Sequence, residues 1–281
     1  MHLAGIFIYP VKSLRGVPVA SAAVDDLGLA GDRRFMVVDP AGMFLTQRGL
    51  PRMALVETAL DAGTLTLSAP GAGVVSVPRA SDPRAPLRVV TVWKSENLPA
   101  EDCGEPAARW LSAFLGASCR LVRIGAVFNR PIPARKLPWQ GEAGAPTRPR
   151  FVSFADAAPF LALAEESLAD LNERLRARGE AALPMDRFRP NLVLRGVRPY
   201  AEDGWTRFRI GGVTFRSGEP CARCIVTTTD QASGERGVEP LRTLAGYRRD
   251  TLKPNQVNFG RNVFHEDAAG TLRAGDAIAL L

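Results

Sequence analysis

Short apolar runs separated by turn residues dominate the first hundred residues. The runs are too short for typical helices, and Pro, Gly or Asp stands near their ends. Evenly spaced short strands with turns between them are typical of a β-barrel or β-sandwich. The predicted strands cover residues 3–9, 34–38, 54–60, 65–68, 74–77 and 87–92, and a turn at 39–42 leads into a further strand at 43–46.

Two segments instead place apolar residues at helical spacing. Residues 105–114 have this pattern and precede Gly116, a favourable residue for ending a helix. Residues 167–178 repeat it and precede Gly179, and Ser167 is predicted to cap the helix at its N-terminus. Both helices are predicted to be packing elements rather than sources of catalytic groups.

The second half of the chain returns to strands after a segment rich in Pro, Gly and Arg at 129–150. This segment is predicted to be an ordered connection or a lid, and it separates a β-barrel region at 1–130 from a second domain at 131–281. Gly211 and Gly212 indicate a hairpin. The fold class is therefore mixed α+β and rich in β structure. Strands are predicted at 191–194, 208–210, 213–216, 225–229 and 277–280.

The composition is that of a globular protein. Of the 281 residues, 46% are apolar and 23% are charged. No apolar run reaches the length of a membrane helix, and the N-terminus does not resemble a secretory signal. We therefore expect a cytoplasmic protein without a membrane partner.

The formal net charge of +7 favours anionic partners. The basic residues are scattered and are not interleaved with stacking aromatic residues, so a nucleic-acid partner is not expected. A phosphate-bearing cofactor held by a few arginines would use the same charge. The alternative is a solvated surface that is rich in arginine.

Cysteine is the most informative residue type. Only two histidines, His2 and His265, are available, which leaves little for a zinc centre or a Ser-His-Asp hydrolase. Cys221 and Cys224 form a C-x-x-C motif, but a thioredoxin-like pair should open a helix, whereas a strand is predicted at 225–229. Arg223 places a positive charge beside Cys224. From the residues alone, a metal or cofactor ligand and a structural cysteine remain equally open.

Candidate phosphate ligands lie at two predicted strand ends. Lys12, Ser13 and Arg34 follow or begin strands in the first half, and Arg189 and Asn191 precede a strand in the second half. Each could equally be a surface or turn residue. No nucleotide-binding glycine motif accompanies them.

Several motifs taken together resemble the MOSC-domain proteins, which are relatives of the C-terminal domain of molybdenum cofactor sulfurase. The similarity is greatest to the amidoxime-reducing component branch and covers nearly the whole chain. The motifs are IYPVKS at 8–13, GDRRF at 31–35, DCGE at 102–105, SLADLN at 167–172, FRPN at 188–191, CARCIVTT at 221–228 and GD at 275–276.

The resemblance implies an N-terminal MOSC β-barrel domain followed by a MOSC-type β-barrel domain with a few packing helices. It also implies the molybdenum cofactor (molybdopterin with molybdenum), with no pyridoxal phosphate. Cys224 matches the molybdenum ligand, and Asp156 matches a catalytic carboxylate near the metal. The residues matched to phosphate and pterin binding are Lys12, Ser13 and Arg34, and those matched to the pterin lining are Asp156, Ala157, Arg189, Asn191, Ala222 and Arg223. Alanines at 155 and 157 stand where relatives often have hydroxyl residues.

The implied activity is reduction of small N-hydroxylated compounds, such as amidoximes and N-hydroxylated bases, by two-electron cleavage of the N–O bond. This is an N-reductive detoxification. The chain carries no cysteine cluster near Leu281, so electrons are expected from a separate flavin reductase, ferredoxin or cytochrome b5 type of protein. Two alternatives are a sulfur carrier with a cysteine persulfide and a catalytically silent cofactor-binding module.

Overall fold

A computed structural model describes residues 1–140, 142, 150–267 and 269–281. The predicted connection at 129–150 therefore lies partly outside the described residues. In its described part, Ala134–Lys136 form a 3-10 helix, and Trp139 is buried with its ring 6.2 Å from that of Phe264. No helix in the described residues is long and apolar enough to cross a membrane.

The first half consists mainly of short strands, as predicted. One α-helix, α1, spans Glu105–Leu115, and a 3-10 helix spans Pro51–Leu55. The strands are β1 (His2–Ile8), β2 (Val17–Val19), β3 (Ser21–Asp25), β4 (Gly28–Leu29), β5 (Phe35–Val38), β6 (Glu57–Leu60), β7 (Thr64–Ala69), β8 (Gly73–Pro78), β9 (Leu87–Val92), β10 (Ser95–Asp102) and β11 (Arg120–Arg123).

The second half combines longer strands with two α-helices, α2 (Glu165–Arg176) and the short α3 (Leu241–Leu244). Its strands are β12 (Phe160–Ala164), β13 (Leu192–Arg195), β14 (Arg207–Ile210), β15 (Val213–Ala222), β16 (Asn258–His265), β17 (Gly270–Arg273) and β18 (Ile278–Leu280). Three 3-10 helices, Met185–Phe188, Ala201–Gly204 and Ile225–Thr228, lie between them. The predicted β-rich α+β fold is confirmed.

The largest sheet joins both ends of the chain in the order β18-β14-β15-β16-β12-β13-β1-β2. β1 pairs antiparallel with β13, with Ile6 opposite Leu192, and β3 pairs with β17. Apolar side chains from β1, β12, β13, β14 and β15 fill one shared core. The start of the chain thus completes the barrel of the second half, and the division at 130/131 stays a prediction.

Two smaller sheets belong to the first half. Their orders are β5-β11-β10-β9 and β6-β7-β8, and α1 packs its apolar face into the core between strands of both. The helix ends at Gly116, which has a φ of 68° and can adopt this left-handed conformation without a side-chain penalty. This helix end is as predicted.

The predicted capping role of Ser167 is wrong. α2 begins at Glu165, so Ser167 lies inside the helix, where it is fully buried. Its hydroxyl donates to the Glu202 carboxylate at 2.8 Å and accepts from the Tyr200 backbone N–H at 2.8 Å. Ser167 therefore ties the helix to a buried acid.

Replacing Ser167 by alanine is expected to lower the free energy of unfolding by about 1–3 kcal/mol, because a buried carboxylate and a backbone N–H both lose a partner. Chemical denaturation monitored by circular dichroism measures this change. The exposed Ser21 on β3 is the control, and Ser21→Ala should change the unfolding free energy by less than about 0.5 kcal/mol. Equal effects of the two substitutions would contradict the assigned role of Ser167.

The strand predicted at 225–229 is also wrong. Ile225–Thr228 forms a 3-10 helix, separated from the end of β15 by Arg223 and Cys224. The hydroxyl of Thr227 donates to the Cys224 carbonyl at 2.9 Å, and that of Thr228 donates to the Ile225 carbonyl at 2.8 Å. Local side-chain hydrogen bonds of this kind outweigh the β propensity of threonine. The predicted strand at 43–46 makes only isolated bridges, and the one predicted at 54–60 begins only at Glu57. The sequence pattern missed β2, β3, β4, β10, β11, β12, β16 and β17.

Candidate functional site

A cavity of about 330 Å³ lies among residues from both halves of the chain. The first half contributes residues after β1, residue Arg33 before β5, and Arg48. The second half contributes residues before β12 and β13, and the end of β15 with the residues that follow it. The predicted site residues that line the cavity are Lys12, Ser13, Asp156, Ala157, Arg189, Asn191, Ala222, Arg223 and Cys224. The structure thus brings together all of the predicted site residues except Arg34.

Lys12 places a fixed positive charge in this cavity. It follows β1, and its backbone N–H donates to the Phe35 carbonyl at 2.9 Å. Its side chain is buried, and the ammonium group donates to the Phe154 carbonyl at 2.9 Å and contacts the Asp156 carboxylate. Burial lowers the pKa of the Lys12 ammonium, and the attraction of Asp156 opposes this shift.

Asp156 is the carboxylate at the cavity wall. Arg130 holds its loop by donating to the backbone carbonyls of Ser153 and Ala155 at 2.7 and 2.6 Å. Partial desolvation at the cavity wall raises the pKa of the Asp156 carboxyl, but Lys12 and the Trp93 indole N–H at 2.9 Å outweigh this and hold it below its usual range. Asp156 is therefore ionised at neutral pH and accepts hydrogen bonds there.

A pair of arginines surrounds Tyr9. The guanidinium carbons of Arg33 and Arg189 each lie 4.3 Å from the centre of the Tyr9 ring. Arg33 is neutralised by Asp32 at 2.7 Å, whereas the Arg189 side chain makes no hydrogen bond or ion pair to any described residue. Burial lowers the pKa of Arg189 to about 10, so it still carries its charge at neutral pH. Among the described residues no carboxylate pairs with Arg189, so its charge is available to an anion.

Asn191 lines the cavity and holds this arrangement in place by hydrogen bonds. Its amide donates to the Phe7 carbonyl at 3.1 Å and to Asp32 Oδ1 at 3.0 Å, and its Oδ1 accepts from Arg33 at 2.9 Å. The side chain is 1% exposed. Asn191 therefore acts mainly by fixing Arg33 and Asp32.

Arg34 was predicted to lie in the same site, and the structure places it elsewhere. Its Nη2 lies 2.7 Å from Asp25 Oδ1 and 3.1 Å from the Leu29 carbonyl, and it does not line the cavity. Arg33 lies in a turn with a φ of 48°, whereas Arg34 leads into β5, and only the first of these two adjacent arginines lines the cavity. That residue is Arg33, which belongs to the same GDRRF motif.

The two cysteines of the C-x-x-C motif have different arginine partners. Cys221 Sγ lies 2.9 Å from Nη1 of Arg223, while Cys224 Sγ lies 3.2 Å from Nη2 of Arg48. Within the described residues both thiols are free rather than joined in a disulfide. The charge beside the Cys224 sulfur thus comes from Arg48, not from the adjacent Arg223 as predicted.

The cavity as a whole carries surplus positive charge. Six cationic side chains line it against two carboxylates, and the Nε atom of Arg223 is buried without a hydrogen-bond partner in the described part of the chain. These side chains are Lys12, Arg33, Arg48, Arg189, Arg223 and Lys253, opposed by Asp156 and Glu219. An anionic ligand with several acceptor oxygens fits such a lining.

Comparisons with known proteins show which family this chain belongs to. The family model for the MOSC N-terminal beta barrel domain matches residues 1–118, and that for the MOSC domain matches residues 149–279. Mitochondrial amidoxime-reducing component 1 of Mus musculus is 37% identical, with 99% of this chain and 82% of the relative covered. Its Homo sapiens counterpart is 35% identical, with the same coverage of both chains.

Molybdenum cofactor sulfurase of Oryza sativa subsp. japonica is 33% identical over 95% of this chain, which spans 33% of that longer protein. Two domain matches in this order, and relatives of 35–37% identity matched over 82% of their length, lead to one conclusion. The chain belongs to the family of MOSC-domain proteins that carry an N-terminal MOSC β-barrel domain, together with the amidoxime-reducing components.

Proposed function

We propose that this protein is a molybdenum-cofactor-dependent oxidoreductase that reduces N-hydroxylated compounds by two-electron cleavage of the N–O bond. The observation that carries the proposal is a single cavity with surplus positive charge and the Cys224 thiol in its lining. Two relatives matched over 82% of their length are named amidoxime-reducing components, which supports the reaction class.

The residues present fit an anionic molybdopterin. Arg189 has no neutralising partner in the described residues and is available for a phosphate, and Lys12 and Ser13 lie in the same lining. Cys224 supplies a soft sulfur ligand of the kind that transition metals accept in redox sites. When bound, the cofactor supplies the two-electron redox chemistry, and the protein supplies binding and orientation.

Asp156 is proposed to orient the substrate. Its side chain is 53% exposed, and its carboxylate is held ionised by Lys12 and Trp93. An ionised carboxylate accepts a hydrogen bond, so it can hold an N-hydroxyl group or an N–H group of an amidoxime. Because the pKa of Asp156 is low, this residue is not proposed as the proton donor at neutral pH.

Purified protein loaded with the cofactor should convert an aromatic amidoxime to the amidine when a small artificial reductant supplies electrons. Chromatographic measurement of the amidine tests the proposal. Absence of amidine from protein that contains stoichiometric molybdenum would refute the reductase. Sulfane sulfur on a cysteine of a metal-free protein would instead favour the persulfide carrier.

We also propose a separate electron-donor protein with an acidic docking surface, since the chain carries a net charge of +7. Reduction by such a donor should slow roughly ten-fold between low and high ionic strength, because salt screens the attraction. Stopped-flow kinetics at several salt concentrations measures this effect. A small artificial reductant is the control and should show a weaker dependence, and salt-independent reduction by the protein donor would contradict the proposal.

A further inference from the structure

Trp93 occupies a strained position at the tip of the hairpin that joins β9 and β10. Its φ is 57°, in the left-handed region that bulky residues rarely adopt. Its side chain is 43% exposed, so burial in an apolar core does not compensate for the strain. A strained backbone conformation persists only where surrounding contacts hold it in place, and such residues cluster at functional sites.

Two contacts of the Trp93 indole, to Asp156 and Arg48, join it to the cavity lining, and a third is to Phe44. The indole Nε1–H donates to Asp156 Oδ1 at 2.9 Å, and the ring centre lies 5.0 Å from that of Phe44. The Arg48 guanidinium lies 4.6 Å from the same indole ring. A hairpin of the first half therefore reaches across to a carboxylate that precedes β12.

Arg48 connects the indole to the sulfur. Its Nη2 lies 3.2 Å from Cys224 Sγ and 4.0 Å from Asp156 Oδ2. The Arg48 side chain is 31% exposed and long, so it has many alternative conformations that would withdraw the charge into solvent. Stacking on the indole, together with the fixed Asp156, selects the conformation that faces the sulfur.

We propose that Trp93 is a positioning residue that holds the Arg48 guanidinium against the Cys224 sulfur and the Asp156 carboxylate. A hydrogen bond to a sulfur ligand changes its electron donation, so this contact would tune a metal bound there. That consequence rests on the proposed function, whereas the position of Arg48 does not.

The test uses the cofactor-free protein and two thiol reagents, iodoacetate and iodoacetamide. Both reagents alkylate the thiolate, so the ratio of their rates at Cys224 does not depend on how much of the thiol is ionised. Because iodoacetate is an anion and iodoacetamide is neutral, this ratio rises with positive charge near the sulfur. Peptide mass spectrometry follows Cys224, with Cys221 as an internal reference because Arg223 lies 2.9 Å from it. Trp93→Gly relieves the backbone strain and should fold, and it should lower the iodoacetate-to-iodoacetamide ratio at Cys224 about five-fold.

Arg48→Gln should lower the iodoacetate-to-iodoacetamide ratio at Cys224 to the same extent. Trp93→Phe keeps an aromatic ring for Arg48 to stack on, so the ratio in this variant should stay close to that of the unmodified protein. Val89→Ala, at an exposed position of β9 in the same hairpin, is the matched control and should leave the ratio unchanged. An unchanged ratio in Trp93→Gly, or an equal fall in Val89→Ala, would overturn the positioning role. The ratio at Cys224 could fall as expected in Trp93→Gly while the unmodified protein never takes up molybdenum. That result would support the positioning role of Trp93 and refute only the proposed reductase.

Discussion

Replacing Cys224 by alanine is expected to abolish reduction of N-hydroxylated compounds. Cys224 is the thiol that lines the cavity next to Arg48, and the proposed function makes its sulfur the protein's direct ligand to the metal. Losing a direct ligand should cost more than the roughly 10- to 100-fold that follows loss of a group supporting a ligand. Steady-state formation of the amidine measures the effect, with cofactor content determined in parallel.

Cys221→Ala is the matched control, because Cys221 lies three residues earlier in the same cavity lining. Its sulfur interacts with Arg223 rather than Arg48, so we expect a milder loss of activity. If the alanine at 221 abolished activity and the alanine at 224 did not, the assignment of the ligand would be wrong. Equal severe losses would favour chemistry that needs both thiols.

Replacing Arg189 by alanine is expected to have the second largest effect, on cofactor retention. Its guanidinium has no hydrogen-bond or ion-pair partner within the described part of the chain, and it shares the Tyr9 ring with Arg33. A charge-assisted hydrogen bond contributes about 1.5–3 kcal/mol, which corresponds to a roughly 10- to 150-fold weaker affinity when it is lost. Pterin fluorescence after gel filtration measures the retained cofactor.

The control for this experiment is Arg273→Ala, at an exposed position of β17. It removes the same charge from the chain without touching the cavity, so pterin retention should match the unmodified protein. Arg189→Lys should give an intermediate result, since lysine keeps the charge but loses the planar fork. Full pterin retention by Arg189→Ala would contradict the proposed anion site.

The sequence predicted those elements that local patterns determine. The hairpin at Gly211 and Gly212 forms between β14 and β15, where Ile210 pairs with Val213, and α1 ends at Gly116. The role of Ser167 was predicted wrongly because a serine hydroxyl can either cap a helix or bind a buried group. The partner that decides between these roles is Glu202, which lies 35 positions further along the chain. Patterning within a segment does not contain that contact.

In the candidate site too, residues inside a motif were predicted, whereas residues brought in from distant parts of the chain were not. The motif at 31–35 contains the cavity arginine, but spacing alone did not distinguish Arg33 from Arg34. Arg48 and Trp93 were missed altogether, since Arg48 meets the Cys224 sulfur across 176 positions of the chain and no motif marks either residue. The roles of the residues carried over from the resemblance remain proposals, and their common location in one cavity is what the structure adds.

The metal and pterin content of the protein, purified from a host that makes the molybdenum cofactor, tests the central claim most directly. Elemental analysis and pterin fluorescence on the same sample give both quantities. The account predicts stoichiometric molybdenum and pterin in the unmodified protein, with pterin falling sharply in Arg189→Ala. Protein that carries sulfane sulfur on Cys221 or Cys224 and contains neither molybdenum nor pterin would contradict it.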